Sequence, residues 1–320
     1  MSAPLISVVV ETVTAREHGL GGTLADALSP ALSALDQQSY PQASIELIVV
    51  VDDAVAQEDR DELRQRHPLV RIENAPACNY YQAKNSGAAA ARGEWVALLD
   101  GDCAPAPDWL EWLASRRSTG VEAVAGRTRY AGGSWAERIF SVPDFANVLD
   151  EGGGRASGFN LNNVLFRRDV LLANPLEARI ARNGACFLLF HRLRAAGADI
   201  VYEPGAVVAH GNDVAGFGFL RKHFDRGYDS VTVLRLDEPP VLRGTRLFRR
   251  FGALALIGFA GRQIVRDAWR LVRHHRQIGI APLAVPLYWG VTAALRLVAL
   301  SGAMAAMAAP TVRPERGCQS

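Results

Sequence analysis

A chain of 320 residues, 49% hydrophobic and 21% charged, suits one large domain or two ordinary ones and excludes a disordered chain. Its net charge of +2 sets no overall preference for an anionic partner. Four scattered cysteines (Cys78, Cys103, Cys186, Cys318), with no C-x-x-C pair, exclude a disulfide framework and a structural zinc site; a reducing cytosol is the expected setting.

The first residues, MSAPLISVVVETVTAREHG, lack a basic stretch followed by an apolar core long enough for a signal peptide. Leu5–Val10 instead predicts a first strand, rich in Val and Ile and buried on both faces. The spacing of Leu24, Leu28, Leu32 and Leu35 predicts a helix from about Thr23 to Gln38, ended by Ser39-Tyr40-Pro41. Ile45–Val51 is a second strand and runs into Asp52-Asp53. A polar helix over Glu58–Arg66, a short strand over Leu69–Glu73 and an Ala-rich helix over Tyr81–Arg92 follow, with Gly93 expected to cap the last. Trp95–Leu99 is the fourth strand and ends in Asp100-Gly101-Asp102. This alternation predicts a mostly parallel α/β sheet with helices on both faces. In such sheets ligands bind beyond the carboxyl ends of the strands, where Asp52, Asp53, Asp100 and Asp102 all fall.

From Ala123 to His210 the pattern is mixed. It holds a glycine run (Gly152-Gly153-Gly154), the segment SGFNLNNVLFRRDVL, a helix through His191–Ala196 closed by Gly197, and short strands at Ile200–Tyr202 and Ala206–Ala209. Beyond it, nine arginines and a single acid, Asp267, lie between Val241 and Arg276. Over Gly261–Arg276, Ile264, Val265, Ala268, Trp269 and Val272 share one helical face and Arg262, Arg266, Arg270 and Arg273 another. That is the pattern of an interfacial membrane helix, or of a surface helix packed on its own domain. Ile280–Ala309 is almost continuously apolar and long enough to span a bilayer, though Arg296 near its middle is costly there. A hairpin or interfacial helices fit equally well, and the preceding arginines favour a cytoplasmic placement.

Two carboxylates at one strand end repel unless a cation neutralises them. Mg²⁺ or Mn²⁺ takes oxygen ligands and leaves room for substrate phosphates, so Asp100 and Asp102 read either as a metal–diphosphate clamp or as solvated loop acids. The stretches ALSALDQQSYP, IELIVVVDD, AKNSGAAAARGEWVALLDGDCAPAPDWLEWL and HRLRAAGADIVYEPGAVVAH resemble glycosyltransferase family 2 over most of residues 5–210. The resemblance implies a GT-A-type, Rossmann-like sheet over about residues 1–215, its donor half about 1–120 and its acceptor half about 121–215, followed by membrane-associated helices over 216–320. It implies that Thr12, Asp52, Asp53, Lys84, Asn85 and Asp100 serve the nucleotide sugar, with Asp52 and Asp53 at the base and a uridine donor favoured. It implies that Asp102 and His210 hold Mn²⁺ or Mg²⁺, and that Gly158, Asn160 and Asn162, with Asn163, line the acceptor side. The family usually has a proline after its first strand, where this chain has Glu11.

One departure matters more. The family places the acidic pair that supplies the catalytic base a little before its R-L-R-x-x-G block, and here that position holds Ala185-Cys186. Neither is a carboxylate, and apolar neighbours raise a thiol pKa. The base is then elsewhere, with Asp144, Asp150, Glu151, Asp169 and Glu177 near in sequence, or the register is shifted, against which RLRAAG argues, or the chain binds a nucleotide sugar without efficient transfer. The helix FLRKHFDRGY lacks the Q-x-x-R-W pattern of processive synthases. The expected activity is metal-dependent sugar transfer to a glycan or lipid-linked acceptor at the inner face of a membrane, in cell-envelope synthesis. A catalytically impaired binding or scaffold protein is the second reading. A nucleotidyltransferase would need a basic phosphate loop, for which Gly19-Leu20-Gly21-Gly22 is the nearest match, and nucleic-acid binding is not expected beside so apolar a tail.

Overall fold

The structure, a computed structural model, describes residues 6–18, 22–76, 78–132, 134–145, 154–211 and 218–309. Asp150 and Glu151, the glycines at 152 and 153, and Gly19–Gly21 lie outside them. Four strands in the N-terminal half, β1 (Ile6–Glu11), β2 (Ile45–Val51), β3 (Val70–Asn74) and β4 (Trp95–Asp100), pair in parallel. Four more, β5 (Cys103–Pro105), β6 (Val121–Tyr130), β7 (Val164–Arg167) and β8 (Asp199–His210), complete one sheet in the order β3-β2-β1-β4-β7-β6-β8-β5. Strand β7 runs antiparallel to both neighbours, while β6 and β8 are parallel.

Period-two alternation within these apolar strands fills both faces of the sheet. Val9, Ile48, Val50, Val96 and Leu98 pack with α4 (Tyr80–Ala90) and α8 (Ala185–Ala195). Ile6, Val8, Val10, Val49, Ala97 and Leu99 pack with α2 (Leu24–Asp36) and α5 (Trp109–Ser115) on the other side. The expected α/β class with helices on both faces is what the chain forms. Three further helices shape the donor half and the middle: α1 (Val13–His18), α3 (Gln57–Arg66) and α6 (Trp135–Phe145).

Three local expectations change. The two short strands at 200–202 and 206–209 are one strand, β8, with an irregularity opposite Gly126 and Arg127. Strand β6 went unread because charged residues break the apolar run in VEAVAGRTRY. Gly93 caps no helix: α4 ends at Ala90, and a Cβ on Gly93 would sit 2.7 Å from the Ser7 backbone nitrogen. Gly197 does close α8, at φ +90°.

After α7 (Arg168–Ala173) and α8, the chain ends in α9 (Gly218–Leu236), α10 (Arg243–Phe251), α11 (Ala253–Ile278) and α12 (Val285–Ala308). Helix α12 lies directly on α9 because two glycines remove the side chains between them. A Cβ on Gly227 would strike the Ala299 carbonyl, and one on Gly302 the Phe224 carbonyl. The residues from Pro282 to Ala308 are long and apolar enough to cross a membrane, by length and composition. Arg296 carries less cost than its sequence position implied. Its Nε lies 2.7 Å from Asp267, which is fully buried on α11 and also lies 3.7 Å from Arg270. Arg270 therefore leaves the basic face and joins the packed one. The exposed face of α11 carries Leu254, Val265, Trp269 and Val272 instead, flanked by Arg262, Arg266 and Arg273.

Removing one partner of a buried ion pair leaves the other charge without compensation. Asp267→Ala is expected to destabilise the helical region by about 3–5 kcal/mol. The double variant Asp267→Leu/Arg296→Leu should recover much of that loss. Thermal unfolding in detergent checks both; equal stability of wild type and Asp267→Ala would contradict it.

Candidate functional site

The register of β1 and β4 sets Glu11 opposite Asp100 at the carboxyl edge of the sheet. Beyond Asp100 the chain must cross the end of β1. Only glycine fits there, since a Cβ on Gly101 would lie 2.6 Å from the Glu11 carbonyl oxygen. The turn leads into β5, which pairs Cys103 with His210 on β8. Asp102 is thereby held beside His210: the Gly211 amide donates to the Asp102 carbonyl at 2.8 Å, and His210 Nε2 lies 3.7 Å from Asp102 Oδ2. Asp100, Asp102, Cys103 and His210 offer side-chain ligand atoms that all lie within 4.8 Å of one another. The two carboxylates and the imidazole suit a hard or borderline divalent cation. Burial, and then Asp102, raise the Cys103 thiol well above its ordinary range, which makes it a poor ligand.

Lys84 supplies the opposing charge. It is fully buried on α4, with Nζ 2.7 Å from Asp100 Oδ1. The Tyr80 hydroxyl donates to the same oxygen at 2.8 Å. Lys84 also donates to the carbonyls of Leu99 and Leu161, each at 3.1 Å, which ties the 158–163 segment to the carboxylate edge. Glu11 was read only as a departure from a proline, yet it lies inside this cluster. It is fully buried and accepts from the Thr14 amide at 3.1 Å and the Thr14 hydroxyl. Burial and then Asp100 push its pKa up to about 7, against the pull of Lys84 and Thr14.

The other expected donor-side residues divide. Asp52, at the end of β2, is buried, with one oxygen 2.5 Å from Arg16 on α1 and the other accepting from the Ala54 amide. Asp53 is exposed. The Thr12 hydroxyl donates to the Val50 carbonyl at 3.0 Å, so that side chain secures the end of β1. Asn85 is not brought to the cluster. One helical step from Lys84, its amide closes on the backbone of Leu176, donating to the carbonyl and accepting from the N–H, both at 2.9 Å.

On the expected acceptor side, Gly158 is buried, and the Asn160 amide nitrogen is buried with no hydrogen-bond partner among the described residues. Asn162 accepts from the Thr128 hydroxyl at 2.9 Å. Asn163 is structural: it accepts from Trp109 Nε1 and donates to the Ala206 carbonyl.

Ala185 and Cys186 open α8, where burial raises the Cys186 thiol. Neither is a base. Among the nearby acids, Asp169 pairs with Arg167, and Glu177 takes two bonds from the Arg179 guanidinium and one from its amide. Asp144 is gripped by Arg226, Lys222 at 3.5 Å and the Tyr130 hydroxyl. Burial alone would raise its pKa; Arg226, Lys222 and His223 together hold it well below the ordinary carboxylate range. Tyr130 packs against the His210 ring, with centroids 5.8 Å apart. Sequence reading missed α9 as part of the site. Its signal is the spacing of Lys222, Arg226 and Asp229, which sets the three on one helical face.

A twisted sheet with carboxylates and a histidine gathered beyond β1, β4 and β8 defines a GT-A-type glycosyltransferase core. Comparisons agree. The chain has the fold of a mannosyltransferase from Pyrobaculum calidifontis, PcManGT, solved in complex with GDP-Man and Mn²⁺ (TM-score 0.60, 17% identity, 96% of this chain and 88% of that one). It is 28% identical over 272 residues to glycosyltransferase AglE of Haloferax volcanii, covering 80% of this chain and 81% of the relative. Residues 21–171 match the family model described as glycosyl transferase family 2. The protein is a glycosyltransferase, and its likeness to family 2 lies in residues 21–171, a little under half of the chain.

The raised pKa of Glu11 has a stability consequence in protein stripped of divalent cations. Between its ordinary value of 4.5 and about 7 the folded state keeps a proton that the unfolded chain has released. Its contribution is full below the lower value and is lost as pH rises through the upper one. Glu11→Gln should therefore reduce the fall in melting temperature across that window; an unchanged profile would remove Glu11 from the cluster's proton balance.

Proposed function

We propose that the protein transfers a sugar from a nucleoside diphosphate sugar to a hydroxyl of a glycan or lipid-linked acceptor, with a divalent cation at Asp102 and His210. The convergence of Asp100, Asp102 and His210 beside the buried Lys84 carries this reading. A bound Mn²⁺ or Mg²⁺ would supply Lewis-acid stabilisation of the departing diphosphate. Lys84 fixes the Asp100 carboxylate, leaving its other oxygen for the donor's ribose or phosphates. Asp52 and Asp53 receive the nucleobase. Both uracil and guanine present ring N–H groups to a carboxylate, so UDP- and GDP-sugars are the two donor classes to compare. Gly158, Asn160 and Asn162 shape the acceptor approach.

Residues up to about 215 form the transferase unit, and those from 216 onward hold it to a membrane. Leu254, Val265, Val272 and Leu283 are 64–97% exposed, with arginines beside the first three, as suits an apolar face set into anionic headgroups. The arginines support a cytoplasmic placement of the unit, and a membrane-bound acceptor fits a role in cell-envelope glycan synthesis.

The test of the donor reading is thermal shift and calorimetry with UDP-glucose, UDP-GlcNAc and GDP-mannose, each with and without MnCl₂. A ligand at 100 times its Kd stabilises by about 2.7 kcal/mol. Asp102→Ala should abolish the Mn²⁺-dependent part while leaving the metal-free melting temperature within a few degrees. Failure of every donor to bind wild type would end the nucleotide-sugar reading.

For the membrane reading, sedimentation with vesicles of phosphatidylcholine and phosphatidylglycerol should pellet the protein. Val265→Glu/Val272→Glu should lower the bound fraction at least tenfold. Complete recovery of wild type in the supernatant would refute attachment.

A further inference from the structure

We infer that Asp229, on α9, is the general base that Ala185-Cys186 cannot supply. The assignment rests on the nucleotide-sugar reading above. Asp229 reaches the start of α8 from a different element. Its Oδ2 accepts from the Asn183 amide at 2.8 Å, the Asn183 side-chain amide at 3.1 Å and the Arg182 amide at 3.3 Å. Gly184 follows directly, packed against Val233 one turn further along α9. A carboxylate thus stands two to three residues from the position where the family resemblance expects one.

All three donors fall on Oδ2, and among the described residues none reaches Oδ1. One oxygen fixes the side chain; the other keeps its lone pairs for an incoming hydroxyl. Asp144 has the opposite environment, with cations and a phenol on its carboxylate. Asp169 and Glu177 are likewise engaged by arginines.

The same helix face links Asp229 to the metal edge. One turn earlier Arg226 binds Asp144, which also accepts from Tyr130, whose ring packs on His210. From α4, Tyr80 donates to Asp100, while its neighbour Tyr81 donates to the Arg182 carbonyl at 2.5 Å. Tyr80 and Tyr81 lie edge to face, with centroids 5.0 Å apart. Two independent connections therefore join the carboxylate edge to the Asp229 position.

Burial lifts the Asp229 pKa above the ordinary carboxylate range, although its three N–H donors pull the other way and Asp225 adds to the rise. The ionisable groups near it include Tyr81 on α4, Asp225 on α9 and Arg182, whose amide it accepts from. A carboxylate with a raised pKa is a stronger base.

In the step itself, the acceptor hydroxyl gives its proton to Asp229 Oδ1 as its oxygen bonds to the anomeric carbon. The bond from that carbon to the β-phosphate oxygen breaks, and its electron pair leaves with the nucleoside diphosphate. The proton on Asp229 then returns to solvent.

The test uses full-length protein in detergent, with GDP-mannose and UDP-glucose as donors, MnCl₂, and water or octyl glycosides as acceptors. Release of nucleoside diphosphate is followed from pH 4 to 9. Asp229→Asn, which keeps an acceptor oxygen for the Asn183 and Arg182 amides, should lower kcat by about 10²–10⁴-fold. Donor Kd should change less than threefold. The acid limb of the wild-type pH profile should disappear in the variant. Turnover by Asp229→Asn within threefold of wild type, or an unchanged acid limb, would overturn the assignment. So would wild-type protein that binds donor with Mn²⁺ but releases no diphosphate. If Asp229→Asn does not fold, the wild-type profile decides: an acid limb above the ordinary carboxylate range is expected, and a flat profile down to pH 4 refutes it. Absence of donor binding by wild type would instead refute the nucleotide-sugar reading beneath it.

Discussion

The ion pair between Lys84 and Asp100 is the constraint on which the site depends. An ammonium with no solvent exposure is tolerable only with a close counter-charge and satisfied protons. Lys84 has both, in Asp100 and in the carbonyls of Leu99 and Leu161. Those bonds join three separate pieces of chain: α4, the end of β4 and the 158–163 segment. The carboxylate edge and the 158–163 segment are thereby fixed relative to one another by a single side chain.

Three carboxylates, Glu11, Asp100 and Asp102, share the edge that Lys84 serves, and like charges so close disfavour one another's ionised form. A proton and a metal cation each relieve such crowding. The raised pKa of Glu11 is the first, and the ligand set at Asp102 and His210 fits the second. A cation arriving at Asp102 would favour the ionised form of Glu11. Proton release and metal uptake at this edge are then coupled.

Much of this was legible in the sequence because strands buried on both faces are long apolar runs, and their carboxyl ends show where the run meets acid. Asp52, Asp100 and Asp102 were read in that way. His210 came from the family resemblance. What stayed hidden depends on packing between distant segments. Asn85 follows Lys84 directly, yet the helix turns it toward Leu176, and no local pattern marks that. Glu11 looked like the loss of a proline because Asp100, 89 positions later, becomes its neighbour only through sheet register. Arg296 looked costly because Asp267 lies 29 positions earlier in the chain.

The same limit explains why the base position reads as empty. A family pattern locates a function at a place in the chain, whereas chemistry requires it at a place in space. Helix α9 shows how the two separate. Its residues at i, i+4 and i+7, Lys222, Arg226 and Asp229, face the transferase core, while Gly227 admits α12 behind them. The helix that packs against the apolar helix α12 is therefore also the one whose cations hold Asp144. Loss of an acid from α8 need not cost the reaction its base when α9 lies against the same turn. A base on α9 would depend on the α9–α12 contact that holds that helix in place.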